Sequence, residues 1–319
     1  MASKETSRTL DAISHVTIIG TGLLGGSIGL GLKKRGFAGK IVGVGRREST
    51  LGAAKSRGCI DRCELDLAEA LRGNGSEGLA GADETGCKQL LVIATPLGAF
   101  GAIFKQIAEL AAAGWDCSDL IVTDAGSTKA KVCADAAAML PRPDLFVGAH
   151  PMAGSELQGP AHADAELFAD RLCILTPALA GQNGAVRSDG QAVSIVRELW
   201  QMLGMSITEK SPVDHDELVA SISHLPHAAA VLLVQLADQH KAISVGSTGF
   251  RDTTRVASGD PRVWTDIFST NRDAMVASLD EMVAAIAKLR GVIDSGDDEA
   301  LHQWLINAKE TRDTWLKVK

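Results

Sequence analysis

His15-Val16-Thr17-Ile18-Ile19-Gly20-Thr21-Gly22-Leu23-Leu24-Gly25 joins a short β-branched run to a GxGxxG pattern. The run His15–Gly20 predicts a buried strand that ends at glycine. Leu23–Arg35, with Leu and Ile at helical spacing and Gly36 as a C-cap, predicts the helix that follows. A glycine pattern after a strand and at the opening of a helix points to dinucleotide binding rather than a bare turn. Each glycine has its own reason: Gly20 permits the tight turn, Gly22 lets the backbone approach a pyrophosphate, and Gly25 lets helix pack closely on strand. The unsatisfied N–H groups at the helix start, around Leu23 and Leu24, then face the phosphates.

Outward from this unit the alternation continues. Lys40–Val44, Gln89–Thr95, Asp119–Thr123, Leu145–Gly148, Leu172–Thr176 and Ser206–Thr208 read as strands. Helices are expected at Thr50–Ser56, from Pro96 to Ala112, at Ser127–Leu140 and at Ala192–Leu203. That pattern predicts an α/β fold, a doubly wound and mostly parallel Rossmann sheet with helices on both faces. Beyond it strand signals stop, and Asp214–His240, Pro261–Leu289 and Asp297–Lys317 are helix-rich. The boundary falls at Lys210–Ser211, giving a dinucleotide-binding domain over 15–210 and an all-helical domain over 211–319. By fold analogy, such a helical domain serves substrate binding and dimerisation. Residues 1–14 read as a disordered tail, and Ala178–Gly190 as an exposed loop.

Composition narrows the function class. With 32 Lys and Arg against 39 Asp and Glu, the formal charge is −7, which disfavours a nucleic-acid binder. The six cysteines form no CxxC pair and have no His at zinc spacing, so no metal is expected and a reducing compartment is. Met1–Asp11 lacks the apolar core of a signal peptide, and no apolar run reaches bilayer length. A cytoplasmic protein without a membrane partner is expected.

The end of the second strand bears on the cofactor. NAD sites carry an acid there, on the ribose hydroxyls; this sequence has Gly45-Arg46-Arg47. Two guanidinium groups and no carboxylate suit a 2′-phosphate, so NADP is favoured over NAD. Thr95-Pro96 closes the third strand on the same side. Two further strand ends carry Asp124-Ala125-Gly126-Ser127-Thr128-Lys129 and Gly148-Ala149-His150-Pro151-Met152-Ala153-Gly154-Ser155-Glu156. A His fixed by Pro just past a strand suits a general base, and Ser127 on the neighbouring strand end suits its orientation. Downstream, Pro226 in Ser223-His224-Leu225-Pro226-His227 should kink its helix. Arg251 and Arg255 flank Asp252, as an ion-paired loop or a carboxylate clamp.

Taken together, GTGLLGGSIG, IATP, TDAGSTK, GAHPMAGSE, SHLPH, FRDTTR and DPRVWTDIF, in that order from about residue 15 to 270, resemble the prephenate dehydrogenase family, its arogenate-using members included. The resemblance implies a Rossmann domain followed by a helical domain that makes a homodimer. No regulatory extension is expected after Lys319 and no chorismate mutase segment before Ser14. The implied chemistry is NAD(P)-dependent oxidative decarboxylation of a cyclohexadienyl carboxylate in tyrosine biosynthesis. It puts the catalytic His on His150, its partner on Ser127 and the carboxylate-binding Arg on Arg255. Glu156, Asp216, His224, His227 and Asp252 fall on positions that support the cleft. Gly45-Arg46-Arg47 departs from the acid of NAD-using members. Two rival readings are a β-hydroxyacid- or imine-reductase-type Rossmann dehydrogenase and a non-catalytic nucleotide sensor. HPMAGSE and SHLPH speak against the first, and the joint presence of His150, Ser127 and Arg255 against the second.

Overall fold

A computed structural model describes residues 10, 13–72, 88–155, 157–178 and 186–318. Its elements run β1 (Ile13–Ile19), α1 (Leu23–Lys34), β2 (Lys40–Val44), α2 (Glu48–Ser56), β3 (Arg62–Glu64), α3 (Leu67–Arg72), β4 (Lys88–Ile93), α4 (Phe100–Ala112), β5 (Leu120–Asp124) and α5 (Ala130–Met139). They continue with β6 (Phe146–Pro151), β7 (Leu172–Thr176), α6 (Gly190–Met202), β8 (Ser206–Glu209), α7 (Pro212–Val219), α8 (Leu225–Gln239), α9 (Thr248–Thr254), α10 (Pro261–Thr270), α11 (Arg272–Asp294) and α12 (Asp298–Val318).

The eight strands form one sheet in the order β3-β2-β1-β4-β5-β6-β7-β8. Six run parallel, β7 pairs antiparallel to β6, and β8 runs parallel to β7. The connection order reverses between β1 and β4, which opens a crevice at their carboxyl ends. Side chains alternate across the sheet, so along β4 Leu90 and Val92 enter one core while Leu91 and Ile93 enter the other. On the first face Ile28 and Leu32 of α1 and Leu199 and Trp200 of α6 cover the strands. On the second, Phe100, Ile103 and Phe104 of α4 and Val132 of α5 do so.

The first strand begins at Ile13, two residues before the expected start, and the helix after Ser127 begins only at Ala130. The short β3 and α3 were not foreseen, because three residues of strand carry too little periodicity to read. The rest of the expected tail, 1–9 and 11–12, lies outside the described residues, as does most of the 178–190 loop.

Two compact units are distinguished, 1–271 and 272–319. The first holds the whole sheet and α1–α10; the second is α11 and α12, packed on each other. Within the first unit, α7 and α8 are joined by a π-helical turn, Ala220–His224. The kink expected at Pro226 takes this form: proline crowds the carbonyl four residues back, and a wider turn relieves it. The resulting run, Pro212–Gln239, has a mean hydropathy of 1.5 in its most apolar window and is long and apolar enough to cross a membrane. This corrects the expectation that no stretch reaches that length. The same run buries His215, Asp216, His224 and His227, and Asp216 is bonded to the start of α5, so protein rather than lipid surrounds this part of it.

Candidate active site

The glycine turn sits at the β1–β4 crevice. Gly20 has φ +92°, a conformation glycine adopts freely, and an added Cβ would lie 2.6 Å from the Ala94 carbonyl oxygen on the neighbouring strand end. At Gly25 a Cβ would meet the Gly20 oxygen at 2.0 Å, so α1 approaches the turn more closely than any side chain allows. A Cβ at Gly22 would meet nothing within 4 Å. The start of α1, with Leu23 and Leu24 in its first turn, has no side-chain cap and no acid. An open backbone face at an uncapped helix start fits a pyrophosphate.

Thr95 and Pro96 follow β4 at the same edge, and the Gly98 N–H just beyond donates to Asp266 of α10 at 3.0 Å. At the end of β2, the Gly45 N–H donates to the Glu64 carbonyl, while Arg46 and Arg47 are exposed and Arg47 precedes the first turn of α2.

Three strands away, at the end of β6, lies His150, 9% exposed. Its Nδ1 is 2.9 Å from His215 Nε2, and His215 Nδ1 is 2.7 Å from Asp216 Oδ1. The Asp216 carboxylate also accepts the backbone N–H groups of Lys129 at 2.7 Å and Ala130 at 2.9 Å, where α5 begins. Beneath them Lys129 and Asp124 form a fully buried ion pair at 2.5 Å. Asp124 accepts from Gly126 N–H and Ala149 N–H as well, so one carboxylate ties the β5–α5 turn to the residue before His150.

Electrostatics keep this cluster uncharged on its imidazoles. His150 is held well below the ordinary histidine value, first by burial, then by His215, Lys129 and His224. Burial also lowers His215, although its bond to Asp216 opposes the shift. His224 is lowered to about 4, again mainly by burial. Cys133 and Cys173 are no thiolate nucleophiles here, since burial raises both thiols, Cys133 to about 12. Among the described residues no group of His, Cys, Asp and Glu could hold a metal.

The expected site residues divide between this cluster and its rim. His224 is buried at the end of the π turn, its Nδ1 3.2 Å from Asn271 Nδ2, and the same amide donates to the Asp216 carbonyl at 2.8 Å. His227 lies one turn on, stacked on Trp264 with ring centroids 3.5 Å apart and planes at 10°. Burial lowers it too, opposed by the Val256 backbone. Ser127 lies in the β5–α5 turn, and among the described residues no hydrogen bond joins it to His150. Arg255 opens a 3-10 turn directly after α9 and is exposed. Asp252 pairs with Arg251 at 3.1 Å, both well exposed. Glu156 lies outside the described residues.

Sequence reading gave no role to His215, Asp124, Lys129 or Asn271. The signal for His215 was present, an imidazole between two carboxylates in Asp214-His215-Asp216 at a helix start. The signal for Lys129 was a lysine at the opening of a helix that the apolar pattern drives onto the sheet.

Comparison with known proteins identifies the family. The family described as prephenate dehydrogenase, nucleotide-binding domain, matches residues 28–209, and that described as prephenate dehydrogenase, dimerization domain, matches residues 211–307. The chain is 35% identical over 303 residues to prephenate dehydrogenase of Bacillus subtilis, covering 93% of this chain and 75% of that protein. It is 30% identical over 316 residues to cyclohexadienyl dehydrogenase of Zymomonas mobilis, covering 97% and 98%. A crystal structure of prephenate dehydrogenase from Aquifex aeolicus, in complex with hydroxyphenyl propionate and NAD+, superposes with a TM-score of 0.81 at 27% identity, over 96% of this chain and 99% of that one.

Proposed function

The chain belongs to the prephenate dehydrogenase family, and from that premise we propose how its own residues carry out the family's reaction. The activity is oxidative decarboxylation of a cyclohexadienyl carboxylate, prephenate or arogenate, with an NAD-type nucleotide, in tyrosine biosynthesis. The observation that carries the residue assignment is His150, a neutral imidazole at a strand end with Nδ1 already bonded and Nε2 without a partner among the described residues.

His150 accepts the proton of the ring hydroxyl at Nε2 as that carbon becomes a carbonyl. A nicotinamide held at the glycine turn would supply the acceptor for the hydride that leaves the same carbon. Ser127, in the neighbouring turn, positions the ring hydroxyl for transfer to Nε2. Arg255 holds the ring carboxylate until the new ketone, a vinylogous β-keto acid, releases carbon dioxide and the ring becomes aromatic. Aromatisation makes the step irreversible. His224, His227 and Trp264 form one wall of the cleft, with Asp252 at its rim, and Glu156 stays a substrate-binding candidate on the family pattern alone. Gly20, Gly22 and Gly25 would cradle the cofactor's pyrophosphate, beside Thr95 and Pro96. Arg46 and Arg47, with no acid at Gly45, favour NADP over NAD.

The chain acts as a homodimer. Leu232, Leu233 and Leu236 make one exposed apolar face on α8, within the stretch that matches the dimerization family, and such a face is covered by a second copy. A particle mass near twice 33.3 kDa in solution is expected; a monomer at assay concentration would remove this point. The free thiols among the described cysteines fit a cytoplasmic setting. Initial rates with prephenate or arogenate, each with NAD or NADP, test the activity itself. Reduction in at least one combination, strongest with NADP, is the expected result. Absence of reduction in all four, from folded protein that binds nucleotide, would refute the reading.

A further inference from the structure

We propose that His215 is a positioning residue, which fixes the tautomer and ring orientation of His150 through a chain of hydrogen bonds anchored on Asp216. The proposal rests on His150 being the base of the dehydrogenation.

The proton inventory leaves one arrangement. The Asp216 carboxylate only accepts, and it already takes two backbone N–H groups from the start of α5. The 2.7 Å contact from His215 Nδ1 to Asp216 Oδ1 therefore carries its proton on His215 Nδ1. His215 is fully buried and neutral, so its Nε2 holds a lone pair. The 2.9 Å contact to His150 Nδ1 then needs the proton on His150 Nδ1. A neutral His150 with Nδ1 protonated has its lone pair on Nε2, the nitrogen with no partner among the described residues. A free imidazole in water prefers the opposite tautomer, with the proton on Nε2, which could not accept a proton there. His215 thus converts His150 from the ordinary tautomer to the basic one, as second-layer partners do for other functional imidazoles.

Several features keep the chain fixed. The rings of His150 and His215 meet edge to face, with centroids 5.1 Å apart and planes at 62°. Asn271 holds the Asp216 carbonyl, and the Lys129–Asp124 pair ties α5 to the strand end that carries His150. His215 has no exposed surface of its own, so its effect falls on turnover rather than on binding.

The first test uses the unaltered protein. Long-range nitrogen–proton NMR on histidine-labelled holoenzyme, with the His150 signals assigned by their loss in H150N, reads the tautomer directly. The expected result is a single form protonated on Nδ1; a form protonated on Nε2, or a rapid mixture, overturns the proposal. The second test compares His215→Leu, which removes the acceptor, with His215→Gln, whose side-chain oxygen restores one. H215L should lower kcat by about 10²-fold, less than loss of the base itself. KM and nucleotide affinity should stay within about twofold, and H215Q should recover much of the rate. If H215L turns over near normally while H150N is inactive, the positioning role fails and the base assignment stands. If H150N itself turns over normally, the base assignment fails first.

Discussion

The glycine turn and the histidine cluster lie at the carboxyl ends of parallel strands of one sheet but are built in opposite ways. The turn is backbone, contiguous from Gly20 to Gly25, and its chemistry lies in N–H groups and in side chains that are missing. The cluster is side chain, gathered from β5, β6 and α7 and from the residues that cap the start of α5 and the end of α10, and its chemistry lies in how buried polar groups satisfy one another. The first needs only a strand, a turn and a helix in order. The second needs the whole Rossmann sheet to bring Asp124 beside Ala149 and a helix from the second half of the chain to lay His215 against His150. Binding and chemistry should therefore fail separately.

The largest separation is expected at the buried ion pair. Lys129→Met leaves the Asp124 carboxylate buried without its cation, and removing one partner of such a pair costs about 3–5 kcal/mol. Urea unfolding should report a loss of that size; a loss below about 1 kcal/mol would mean that the pair does not hold the cluster together. Next in size, Arg46→Ala with Arg47→Ala should weaken NADP by about 10–10² in Kd, the worth of one or two charge-assisted hydrogen bonds, and leave NAD nearly unchanged. Equal weakening of both nucleotides would detach the arginines from the 2′-phosphate.

The smallest and most diagnostic effect is with pH. His150, His215, His224 and His227 are all held below the ordinary imidazole value of 6.5. As pH falls through 6.5 the unfolded chain takes up protons that the folded chain refuses, so stability falls with it. For His224 the loss continues down to about 4. Thermal midpoints should drop steadily below pH 6.5, and less steeply in H224N; parallel slopes would show that His224 is not buried as a neutral ring. Turnover, by contrast, should persist below pH 6.5 for as long as the fold does, because His150 stays neutral there.

The same contrast explains what the sequence revealed. The fold was legible because strands such as Lys40–Val44 and Leu172–Thr176 write their burial into consecutive residues, and those two match the observed bounds residue for residue. The Arg62–Glu64 strand was not, since three residues of mixed polarity set no period. In the site, His150, His224 and His227 stood out through their motifs, but their wiring did not. His150 and His215 are 65 residues apart and Asp216 and Lys129 are 87 apart. No local pattern encodes a contact across that distance. Lys129 was the hardest case, because a lysine with no exposed surface is read from sequence as a solvated charge.

One preparation of His150→Asn, measured for both nucleotide affinity and turnover, tests the division of labour most directly. The account predicts nucleotide affinity within about twofold of the parent chain and turnover lower by about 10²–10⁴, the worth of a positioned general base. Near-normal turnover, or loss of affinity and turnover together, would contradict it.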